Sequence, residues 1–180
     1  RPLDLLTHGA EVRAVWRPTG NLTIEPTLSY YEEERGNGTV LSRNGSEALD
    51  LSLRVTRENP VSTFQVVAYY QHREFESLFS AVDAVRGSEV PALDQFEVPG
   101  EGAGGSVTAT LRSEGGMKLI LGADLRHLRG ETNELAGFVN GAFLRRRRAG
   151  GSQLVGGVFT RVAHETGGGL ALDGSARVDF

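Results

Sequence analysis

Five polar residues carry the best prospect of chemistry in this chain: Tyr69, Gln71, Arg73, Asp124 and Arg126. A phenol, a carboxamide, two guanidiniums and a carboxylate supply donors and acceptors suited to holding a small polar ligand reversibly. They do not suit turnover. No Ser/His/Asp or paired-carboxylate arrangement can be read from residue order. The four histidines, His8, His72, His127 and His164, share no metal-ligand spacing. The residues therefore suggest a non-enzymatic protein with no metal and no cofactor.

Three other groups have simpler readings. Arg145-Arg146-Arg147-Arg148 fits an exposed loop or rim attracted to an anionic surface or ligand. Gly100 to Gly105 is Gly-rich, but no helix follows it, so a flexible return into a sheet is expected rather than a phosphate cradle. Asn21-Leu22-Thr23, Asn37-Gly38-Thr39 and Asn44-Gly45-Ser46 match glycosylation acceptors, and the two Asn-Gly pairs are read as turn chemistry.

The elements that must position these residues alternate with period two. In Ser62 to Arg73, Phe64, Val66, Ala68 and Tyr70 fall on one face, with Gln65, Tyr69, Gln71 and Arg73 on the other. The same alternation places Leu49, Leu51, Leu53 and Val55 opposite Asp50, Ser52, Arg54 and Thr56. It places Met117, Leu119, Leu121, Ala123 and Leu125 opposite Lys118, Gly122, Asp124 and Arg126. Further strands are predicted over Glu11–Arg17, Asn21–Tyr31, Ser106–Arg112, Leu154–Val162 and Leu170–Phe180, with Pro26 marking a local distortion. The fold class is all-β: an antiparallel up-and-down meander of about eight long strands.

Connections alternate in length. Short turns are predicted near Pro18, Pro60, Gly115 and Gly167. Longer outside loops are predicted over about 32–46, 76–104 and 129–150. Successive antiparallel connections lie at opposite ends of a sheet, so the short turns share one end, as in an outer-membrane barrel. A soluble β-sandwich would show the same alternation of faces, but would not separate short connections from long so cleanly. Strand length and loop asymmetry favour the barrel, with its apolar face on lipid and its charged face on a wet lumen. Trp16, Tyr30, Tyr31, Tyr69 and Tyr70 sit towards strand ends, where interfacial aromatics collect.

Composition sets outer limits. The chain has 180 residues, 24 of them glycine, and no cysteine, which rules out disulfides and thiolate metal sites. A net charge of −4 with both signs interspersed gives no nucleic-acid footprint. No apolar run approaches the ~20 residues of a spanning helix.

Two segments carry a family resemblance. Arg73-Glu74-Phe75 with Phe79 four residues on, followed by Pro91-Ala92-Leu93-Asp94-Gln95-Phe96, resembles the strand exits and loops of TonB-dependent outer-membrane receptors. The re-entry Ala149-Gly150-Gly151-Ser152-Gln153 after the arginine run fits the same pattern. The resemblance implies energy-coupled import of a scarce nutrient, such as an iron–siderophore complex, across the outer membrane of a Gram-negative bacterium. It implies outer-membrane lipid, a nutrient ligand and the TonB complex as partners, the last acting through a plug domain not in this chain. About eight strands are roughly a third of the ~22 such a transporter needs, so a single segment of a larger barrel is expected. A complete eight-stranded outer-membrane protein with a structural or adhesive role, and a soluble secreted β-sandwich binding module, are the alternatives.

Overall fold

The computed structural model describes residues 3–166 and 168–180. Ten strand segments occur in chain order: β1 Leu5–Arg13, β2 Trp16–Thr19, β3 Leu22–Gly36, β4 Arg43–Asn59, β5 Ser62–Val82, β6 Glu89–Glu97, β7 Gly100–Arg112, β8 Met117–Val139, β9 Ala142–Glu165 and β10 Ala171–Asp179. Every pairing is antiparallel. The order across the sheet is β1-β3-β4-β5-β6-β8-β9-β10, with β2 also on β3 and β7 also between β5 and β8.

The ten segments fill eight strand positions, because two positions are occupied by interrupted strands. β6 and β7 meet at Val98-Pro99, and the ladder crosses the break: Val98 and Phe75 exchange both backbone hydrogen bonds, and Glu131 N–H donates to Pro99 O at 3.0 Å. Pro99 has no N–H, so the strand stops there while the pairing continues. β1 and β2 part at Ala14-Val15, opposite Pro26. β3 itself runs through Pro26, whose carbonyl accepts from Ala14 N–H at 3.1 Å. The expected distortion therefore falls mainly on the neighbour of the proline-bearing strand.

Register sorts the side chains cleanly. Trp16, Ile24, Val55, Val66, Val107, Ala123, Val158 and Val178 are successive partners across all eight positions, and all are apolar. The next row on that face, Pro26, Leu53, Ala68, Gly105, Leu125, Gly156 and Phe180, is equally uncharged. Yet Val66 is 47 % and Val158 53 % exposed, and the one buried apolar residue among those described is Ala136. The surface totals 12086 Å², where a compact monomer of this mass exposes about 8,500 Å². A single uncovered sheet explains the excess. Among the described residues there is no second layer, so the sandwich alternative does not describe this fold. Nor is the sheet closed: among the described residues β1 pairs only with β3, and β10 only with β9. An eight-stranded closed barrel is therefore also not what the chain forms here.

The long loops predicted over 76–104 and 129–150 are mostly strand. β5 runs on to Val82 and returns as β6, and β8 and β9 form one continuous hairpin. The turn of that hairpin is Asn140-Gly141, with φ of 52° and 85°, the two positive values of a tight hairpin turn. The loop predicted over 32–46 shrinks to residues 37–42, between β3 and β4. In these extensions each face mixes polar and apolar residues, so no hydropathy alternation marks them as strand. The four short turns do lie together at the opposite end. Gly167, assigned to one of them, lies outside the described residues.

Candidate functional site

The face opposite the apolar rows is ionic and glycine-rich. It carries Tyr69, Gln71 and Arg73 from β5, and Asp124 and Arg126 from β8. All five predicted residues share this face, because Tyr69 and Arg126 flank Gly104 in one register row, and Gln71 flanks Gly102 in the next. They do not form one cluster. Two separate polar groups hold most of them.

The first group lies on β4 and β5. Arg73 Nη2 donates to both carboxylate oxygens of Asp50, at 2.7 and 2.9 Å, and Gln71 Nε2 donates to Asp50 Oδ1 at 2.9 Å. A second arm of Arg73 reaches the His72 carbonyl at 2.9 Å. Asp50 thus fixes the direction of both side chains. Sequence reasoning placed Asp50 on this face without giving it that role. Register supplies the reason, since Asp50 stands directly opposite Gln71.

The second group joins β8 to β10. Arg177 donates to Asp124 Oδ2 at 2.6 Å and Oδ1 at 3.1 Å, and its Nε donates to Asp179 at 2.6 Å. β9 lies between these strands, and its residue in the Asp124–Asp179 row is Gly157. A Cβ there would sit 2.5 Å from Arg177 Nη2, so the glycine is what lets the guanidinium pass. The same guanidinium stands 5.8 Å from the Phe159 ring centre. Asp124 is therefore engaged within the sheet, and Arg126 is the freer of the two β8 residues.

Between these groups lies a shallow groove of about 570 Å³. Gly100, Gly130 and Gly151 are register partners on three adjacent strands and form its floor, with Arg73 at the β5 end of that row. Gln71, Leu128 and Gln153 form the next row along its side. The volume falls in the range of small-molecule sites, and the wall offers amides and a carboxylate-anchored guanidinium. Gln153 and the glycine floor were missed from the sequence. Their alternation parity with Asp124 and Arg126, continued through the β8–β9 hairpin, would have found them.

Other glycines on this face are covered rather than open. A Cβ at Gly104 would meet the Tyr69 hydroxyl at 2.6 Å and the Leu125 carbonyl at 2.7 Å, and the Phe159 ring lies over Gly122. Tyr69 is thus packed across β7 as well as polar at its tip. Among the described residues no three His, Asp or Glu side chains converge as a metal site.

A sheet of eight strand positions, apolar on one face and ionic on the other, has the alternation of a β-barrel wall. The fold is similar to that of outer-membrane β-barrel transporters. One solved structure that it matches is a copper transporter, OprC, with a TM-score of 0.77 at 18% identity over 97% of this chain. Another is the ferric citrate transporter FecA in its unliganded form, with a TM-score of 0.58 at 12% identity over 97% of this chain. At such identities the likeness shows the fold alone. The chain spans 29% of the first protein and 32% of the second. No protein-family model matches the sequence, and no curated protein matches it.

Proposed function

We propose that this chain is one segment of a larger outer-membrane barrel, of the TonB-dependent receptor type, that imports a small nutrient into a Gram-negative cell. The observation that carries the reading is the unbroken apolar row from Trp16 to Val178, set back to back with an ionic, glycine-rich face. Lipid satisfies the first face and a wet lumen the second. The unpaired outer edges of β1 and β10 then take the neighbouring strands of the same barrel, since an open edge in lipid leaves backbone groups unsatisfied.

In this reading the groove over Gly100, Gly130 and Gly151 lies on the ligand route. Gln71 and Arg73 meet the ligand in the groove, and Tyr69, Asp124 and Arg126 line the same lumen face further along the route. Energy comes from the TonB complex acting through a plug domain. An iron–siderophore complex or a similar scarce nutrient is the cargo class.

The test is uptake by cells that carry the full-length gene as their sole route for a candidate nutrient, with and without TonB. Uptake that vanishes without TonB supports the reading. Uptake that persists unchanged, or a protein recovered monomeric and soluble without detergent, overturns it.

A further inference from the structure

At the end of the sheet away from the short turns, one carboxylate and one serine hydroxyl tie the β3–β4 connection to the strands that flank the β5–β6 connection. Residues 37–42 join β3 to β4, and residues 83–88 join β5 to β6. Glu89, the first residue of β6, receives hydrogen bonds from Val40 N–H at 2.9 Å and from Leu41 N–H at 3.0 Å, one on each oxygen. Beneath it, Ser80 Oγ on β5 shares hydrogen bonds with Thr39 Oγ1 at 3.1 Å and Ser42 Oγ at 2.7 Å. Two successive backbone N–H groups aimed at one anion form a nest, which binds a carboxylate more firmly than a neutral acceptor.

Each side of this contact is stiff on its own. The Asp83 carboxylate accepts from Gly87 N–H at 2.8 Å and from both the N–H and hydroxyl of Ser88, at 3.0 and 2.7 Å, closing the β5–β6 turn. Asn37 closes the base of the other loop by donating to Asn44 Oδ1 at 2.8 Å, and Ser77 donates to the same oxygen at 2.7 Å. The side chains of Val40 and Val85, by contrast, point out at 72% and 86% exposure.

We propose that Glu89 is a latch that makes the two loops one flap, so that they open and close together. Two rigid turns joined at this anion nest, with the Ser80 hydroxyl beneath it, leave that junction as the place where they can part. The Ser80 hydroxyl holds the loop at the right height, and the carboxylate supplies the directional bond. The inference needs only the sheet and its loops and stands whether or not the chain imports a nutrient.

The experiment labels Val40→Cys and Val85→Cys with nitroxides in the full-length protein in lipid, and reads the distance distribution by pulsed electron resonance. One narrow distribution is expected for the parent, and a broad one for Glu89→Ala. Amide exchange at Val40 and Leu41 is expected to quicken by about tenfold or more in Glu89→Ala, as befits loss of a charge-assisted bond. Glu74→Ala, on β5 but outside the latch, controls for general loosening and should leave both readouts unchanged. A distribution unaltered by Glu89→Ala, or equal broadening in Glu74→Ala, overturns the latch.

Discussion

Arg177 on β10 passes over Gly157 of β9 to grip Asp124 on β8, so one guanidinium ties three strands together. The geometry depends on a missing side chain. Replacing Gly157 with valine puts carbon where Arg177 Nη2 now lies and should break the pair. The expected result is a lower urea midpoint for unfolding from lipid vesicles, with Asp124→Asn lowering it less. Both groups are partly exposed, so the loss is expected to come mainly from crowding rather than from the charge pair.

Adjacent residues on β7 test which face meets lipid. Val107 belongs to the apolar row, and Ser106 faces the other way beside Asp124. Val107→Arg should destabilise the folded protein in lipid by about 2–4 kcal/mol, the cost of a cation on the lipid face at mid-band. Ser106→Arg should change stability little. Equilibrium unfolding in vesicles checks both, and equal effects would remove the assignment of faces.

Gly104 lies under Tyr69 and against the Leu125 carbonyl. Gly104→Val should cost about 1–3 kcal/mol through overpacking, because the backbone oxygen cannot move aside. Gly151→Val should cost much less, since nothing stands within 4 Å of a Cβ there. Gly151→Phe instead fills the groove, and uptake should fall by about tenfold or more if ligand loses even one hydrogen bond to the wall. A folded Gly151→Phe protein with full uptake would move the ligand route elsewhere.

The latch has a pH signature. The Ser80 and Thr39 hydroxyls beside it, with the Leu41 and Val40 N–H groups that bond it, pull the Glu89 carboxyl down to about 2 from an ordinary 4.5. A lowered folded value means that the anion stabilises the closed form. That contribution is complete above about 4.5 and is lost as pH falls towards about 2. A nitroxide at Val40 should therefore gain mobility across that window in the parent and show no such transition in Glu89→Gln.

The β8–β9 turn offers a local test. Asn140 adopts φ of 52° and Gly141 φ of 85°. Asn140→Val forces a branched side chain into that region and should cost about 1–3 kcal/mol, read as faster amide exchange along the hairpin. An unchanged exchange pattern would mean that the turn is not what sets the register of Phe138 against Phe143.

Residue order alone carries the all-β class, the eight strand positions and the side each residue faces through the apolar band. It could do so because two different media bathe the two faces there, and alternation records that difference residue by residue. Val66 against Val67, or Leu125 against Asp124, is visible from order alone. Where both faces are polar the record disappears. Glu32-Glu33-Glu34 and Arg145 to Arg148 looked like loops, although the backbone ladder continues through them. The Asn140-Gly141 turn was the one local signal of that continuation. Who meets whom is a property of the fold: Arg73 and Gln71 converge on Asp50, Arg177 reaches Asp124, and Glu89 holds the 37–42 loop. Those partners lie 21 to 53 residues apart in the chain. Pairings so remote are set by register and by which positions carry glycine, and neither follows from hydropathy.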